Sequence, residues 1–128
     1  MTRIFKVRVF ERLTRKTDVD DEALAKAIKE ADDGLIDADL GGGLIKKRVA
    51  RAGGGKRGGY RTIVAYRSGI KAFFLFCFPK NAKDDLDPKE EKSLKEIGAK
   101  WLGYSEEQLA TEIEAGRLFE VKHGKEEA

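Results

Sequence analysis

From Ile70 to Phe78 the chain reads Ile-Lys-Ala-Phe-Phe-Leu-Phe-Cys-Phe, almost wholly apolar and bracketed by Ser68-Gly69 and Pro79. A bilayer span takes about twenty apolar residues, so this run is far too short to be one. Aromatic-rich and turn-bounded, it fits a central β-strand covered on both faces. That requirement organises the rest. Arg61-Thr62-Ile63-Val64-Ala65-Tyr66-Arg67 predicts a second strand, joined to the first by the Ser68-Gly69 turn. Leu44 to Arg51 predicts a third, with a wet, basic face. Short connections make the three antiparallel.

Around this trio the pattern changes twice. Phe5, Val7 and Val9 alternate with Lys6, Arg8 and Phe10, the period of a half-buried strand. Thr17 to Glu22 supplies a cap and early acids for a helix whose stripe is Leu24, Ala27, Ile28 and Ala31, with Gly34 as its stop. Leu35 to Leu40 fits either a short strand or a loop. After Pro79, Asp87-Pro88-Lys89-Glu90 and Ser105-Glu106-Glu107-Gln108 are two capping boxes, each opening a helix that Gly103 and Gly116 close. Leu118 to Val121 fits an edge strand, and a polar tail from about residue 122 is expected to fray. With no repeat and no linker, residues 1–128 are expected to be one α+β domain.

Charge is distributed unevenly. The net value is only +3, but Leu40 to Lys83 holds eleven Lys and Arg and no Asp or Glu, whereas the flanks sum to −2 and −6. Eight of the fourteen glycines fall between Gly41 and Gly59. A single-sign block beside acidic flanks suits one surface facing a polyanion. Glycines let phosphate approach backbone N–H groups, and nearby Lys and Arg supply countercharge. Lys46 and Arg48 share one face of their strand; Lys47 and Arg51 share the other with Val49. Cations on both faces cannot both be buried, so at least one face meets solvent or an anion. Tyr60 and Tyr66 have two readings, as rings on which an unpaired base stacks or as sheet-face residues.

Other chemistries fare poorly. One cysteine, Cys77, and one histidine, His123, make neither an internal disulfide nor a metal cluster, so no cofactor or metal is expected. Cys77 and Trp101 fit the core, and His123 sits in the polar tail. Gly53 to Gly58 formally fits G-x-G-x-x-G, but a strand follows it where a dinucleotide site needs a helix. Arg57 stands where a phosphate-binding Walker loop needs Ser or Thr. Charges at Arg3 and Lys6 interrupt the place of a secretory signal's apolar stretch, and a cytoplasmic protein with no membrane association is expected.

The segments Leu44 to Arg51, Gly55-Lys56-Arg57-Gly58-Gly59-Tyr60-Arg61 and Ala72 to Asn81 resemble the RelE/HigB-like toxins of type II toxin–antitoxin modules, most closely the branch with a G-K-x-G-G-Y-R signature. The likeness extends to the Glu-rich helix with Leu94 and Ile97 and to Gly116-Arg117-Leu118-Phe119-Glu120-Val121. It implies a microbial RNase-like α+β fold: an antiparallel sheet with an N-terminal helix and C-terminal helices. It further implies a ribosome-dependent mRNA endoribonuclease that inhibits translation. The implied partners are mRNA, the ribosome and a small helix-turn-helix antitoxin. The implied chemistry is metal-independent: the ribose 2′-hydroxyl attacks the adjacent phosphate. Carried onto this chain, Arg61 is the main phosphate clamp, Lys56 and Lys80 join it in catalysis, and Tyr60 is a candidate for proton transfer. Lys46, Lys47, Arg48, Arg51, Arg57 and Tyr66 bind RNA. The chain departs from better-studied RelE relatives in having no C-terminal Tyr or His in an obvious catalytic place. A non-cutting RNA- or ribosome-binding module, or one receiving an acidic antitoxin peptide, is the alternative.

Overall fold

The computed structural model of the chain describes residues 2–51, 59–78 and 85–122. Strand β1 (Arg3–Val7) runs directly into helix α1 (Arg8–Thr14), then helix α2 (Asp21–Asp32) and strands β2 (Ala38–Gly41), β3 (Leu44–Val49), β4 (Tyr60–Arg67) and β5 (Lys71–Cys77). Helices α3 (Pro88–Leu102) and α4 (Glu106–Glu114) precede the closing strand β6 (Leu118–Glu120). The six strands form one sheet in the order β2-β3-β4-β5-β1-β6.

Most neighbours are antiparallel, as expected, but β1 lies parallel to β5, with Arg3 opposite Lys71 and Phe5 opposite Phe73. β1 and β5 are far apart in sequence, and the chain between them crosses over through α1, α2 and three strands. Helix α1 was also unforeseen. The alternation through Val9 suggests a strand, yet Phe10 and Thr14, four residues apart, are both buried while Val9 is 49% exposed. That is the helical period. The ambiguous stretch before Gly41 resolves as β2, bonded to β3.

Helices cover both faces. Phe10 of α1 packs against Phe74, ring centroids 5.1 Å apart, and Lys47 reaches α2, so α1 and α2 share one face. On the other, Trp101 of α3 stacks on Phe73 at 5.7 Å. Gly98 brings α3 so close that a Cβ there would lie 3.0 Å from that of Ala65. Both expected capping boxes form, at Asp87 with Glu90 and at Ser105 with Gln108. Between the layers, Phe5, Phe73 and Phe74 of the central strands are fully buried. Cys77 is buried too, and burial pushes its thiol up to about 11.

Candidate RNA-binding face

The β3–β4–β5 ladder builds the site. Lys46 stands opposite Ile63, and Ile63 opposite Phe76; in the next row along the same face, Arg48 stands opposite Arg61. The Phe78 N–H donates to the Arg61 carbonyl at 2.9 Å, which places Phe78 beside Arg61. Two rows thus cross one face of the sheet: Lys46–Ile63–Phe76 and Arg48–Arg61–Phe78. Both lie on the side that carries α3.

A bulge makes this possible. Val64 pairs with Phe74 but its neighbour Ile63 pairs with Phe76, so Leu75 has no opposite number. Strict alternation would turn Phe76 towards α1 and α2. The extra residue returns it to the α3 side, where it lies against Leu86 and Leu94. The sequence carries no signal for this.

The electrostatics of the two rows are unusual. Arg48 and Arg61 stand directly opposite each other in the β3–β4 ladder, a placement of like charges that is unfavourable on an ordinary sheet face. The Arg48 Nε is buried and has no hydrogen-bond partner among the described residues. A buried N–H without an acceptor is costly, and an oxyanion would satisfy it. Lys46 has a carboxylate already: its Nζ lies 3.0 Å from Asp85, which is 81% exposed, and 6.0 Å from the centre of the Phe78 ring. An ion pair this open to water is weak and leaves Lys46 within reach of a competing anion.

The expected convergence is therefore partial. Lys47, expected to grip RNA, is 2% exposed on the opposite face, its Nζ 3.0 Å from Glu30 of α2; this is a correction, because the ladder points it into the protein. Tyr60 and Tyr66 share that face. The Tyr60 hydroxyl donates to Asp18 at 2.8 Å, and this bond to a carboxylate pushes its acidity down, raising its pKa. Burial, then a bond to Asp32, pushes Tyr66 up to about 12. Neither phenol is brought to the Arg61 side, which corrects the placement of Tyr60 as a proton carrier and of Tyr66 as a base stacker there. Arg51 lies just past β3 and reaches Asp18 at 3.4 Å, again away from Arg61. Lys56, Arg57, Lys80 and His123 lie outside the described residues. The structure adds Phe76, Phe78 and Asp85 to the face; their neighbours in space come from other strands, which spacing along the chain does not reveal.

Residues 2–121 match the family described as the RelE toxin of the RelE/RelB toxin–antitoxin system. That match spans nearly the full length, α1 to β6 included, and so the chain belongs to the RelE toxin family.

Proposed function

We propose that this toxin is an endoribonuclease that cuts mRNA on the ribosome, with Arg48 and Arg61 holding the scissile phosphate. The observation that carries this reading is that Arg48 and Arg61 are opposite one another in the ladder and that the Arg48 Nε is buried with no partner among the described residues. A phosphodiester placed beside Arg48 would accept its orphaned N–H.

In the proposed step the 2′-hydroxyl oxygen bonds to the adjacent phosphorus and loses its proton to a base. The bond to the 5′-oxygen then breaks, and that oxygen gains a proton. The products are a 2′,3′-cyclic phosphate and a 5′-hydroxyl. Negative charge builds on the phosphate oxygens on the way, and fixed cations in a partly dry site lower that barrier. Lys46 would exchange Asp85 for a neighbouring phosphate. Lys56, Arg57 and Lys80 are proposed to extend the cationic track, with proton transfer assigned to a lysine rather than to either tyrosine. A small antitoxin is the proposed partner that silences the activity.

Induction of the wild-type chain should arrest growth and leave transcripts cut within codons. Arg61→Ala should relieve both, and Arg48→Met should weaken cleavage by about tenfold or more, the scale of one lost charge-assisted contact. Because Arg48→Met removes a buried N–H that has no acceptor among the described residues but keeps the aliphatic stem, its thermal stability should equal or exceed that of the wild type. Full toxicity in a folded Arg61→Ala variant rejects the proposal. Intact transcripts with salt-sensitive RNA binding select a module that binds without cutting.

A further inference from the structure

A groove lies beside the row that carries Lys46 and Phe76. Phe76, Leu86, Lys89, Glu90, Ser93 and Leu94 line an open groove of about 320 Å³ between β5 and the first turns of α3. Its position relative to the cations follows from the ladder. Phe76 is in the row of Lys46, and Phe78, beside Arg61, meets Phe76 edge-on with centroids 5.3 Å apart. The Lys46–Asp85 ion pair stands at the end where Leu86 follows Asp85 in the chain.

We propose that this groove receives one unpaired nucleobase of the RNA strand whose phosphate rests on Arg48 and Arg61. The inference depends on the RNA reading above and adds to it where a base goes. An apolar cleft with an aromatic wall suits the flat face of a base, and stacking of this kind is indifferent to sequence. Its volume lies near the lower end for small-molecule sites, about 300–1,000 Å³, which suits a single base with its sugar better than a stacked run. Selectivity would come from the rim. The Ser93 hydroxyl both donates and accepts. One Glu90 carboxylate oxygen accepts the Asp87 N–H at 2.9 Å, while the other has no partner among the described residues and is open to an exocyclic amine. An apolar side chain from a protein partner would fill the cleft equally well but would make no use of the Lys46 ammonium over Phe78, which meets Phe76 at the wall. The cations decide for a nucleotide.

The test measures binding of two five-nucleotide 2′-O-methyl RNAs, which cannot be cleaved, by fluorescence anisotropy. One carries all its bases, and the other has abasic sugars throughout, so their phosphates are identical. Ser93 is exposed on α3, so Ser93→Trp can fill the groove while the protein stays folded. Ser93→Trp should weaken the base-bearing strand by about tenfold and leave the abasic strand unchanged. Phe76→Leu, which keeps an apolar side chain beneath α3 but removes the ring, should repeat that pattern. Equal losses on both strands, or none on either, overturn the proposal, as does a Ser93→Trp variant that loses only its antitoxin. Arg48→Met should weaken both strands alike; if it weakens neither, the RNA reading itself fails, and the two failures are told apart.

Discussion

Lys47 shows what a single position in a ladder decides. Its neighbours Lys46 and Arg48 face the α3 side, while its own ammonium is turned to Glu30 and lies 2% exposed. That cations would occupy both faces of this strand was legible in the sequence, and so was the need for one face to be wet. Which face is wet was not, because Glu30 is seventeen residues away and only folding brings it across. The consequence separates stability from function at adjacent residues. Removing one partner of a fully buried ion pair costs about 3–5 kcal/mol, whereas replacing it with an apolar side chain of similar volume is far milder. Glu30 keeps 20% exposure, which softens the loss. Lys47→Ala should therefore lower stability by about 2 kcal/mol in urea unfolding, and Lys47→Met by less than half as much. Neither should change RNA affinity. A folded Lys47→Met variant with weakened RNA binding would restore Lys47 to the interface.

Elements were legible where their signals are local. Asp87, Pro88 and Glu90 announce α3 because a capping box is complete within four residues, and Ser105 with Gln108 does the same for α4. Helix α1 was not, since five alternating residues suit a strand until the packing of Phe10 and Thr14 decides otherwise. Nor was the bulge at Leu75, which sets the direction of Phe76 and hence the wall of the groove. The placement of α3 above that wall depends on Gly98. A methyl group there would sit 3.0 Å from the Ala65 Cβ, 3.5 Å from Leu75 and 3.6 Å from Leu44. Ala is the better helix former by about 1 kcal/mol, so in an open position the substitution would stabilise. Here the nearest neighbour is a β-carbon fixed to a strand, which cannot rotate away. Overpacking of this kind costs about 1–3 kcal/mol. Gly98→Ala should come out destabilising by about 1 kcal/mol net in denaturant unfolding. A stabilised variant would mean that α3 rides over the sheet more loosely than this contact requires.

Across the whole molecule, a net charge of +3 hides a segregation that the chain already displays: eleven cations between Leu40 and Lys83, acids before and after. Folding sorts that block further. Lys47 is paired inside with Glu30 and Arg51 with Asp18 on one side of the sheet, while Lys46, Arg48 and Arg61 alternate to the α3 side, Lys46 beside the exposed Asp85. Under the proposed function, counting cations in the sequence thus overstates the number that would meet RNA, and salt dependence measures that number. For single strands, log affinity falls with log salt at a slope of about −0.7 for each phosphate neutralised. Replacing a residue that touches phosphate should flatten the slope by about 0.7, while replacing a buried or internally paired one should leave it unchanged. Arg48→Met is accordingly expected to flatten the line, and Lys47→Met is not. Asp85→Asn is the informative third case. Freeing Lys46 from its own carboxylate removes a competitor for phosphate, so affinity should rise while the slope stays put, because Lys46 meets the same phosphate in both proteins. A steeper slope in Asp85→Asn would instead mean that Asp85 holds Lys46 even when RNA is bound, and that the working cluster is the arginine pair without it.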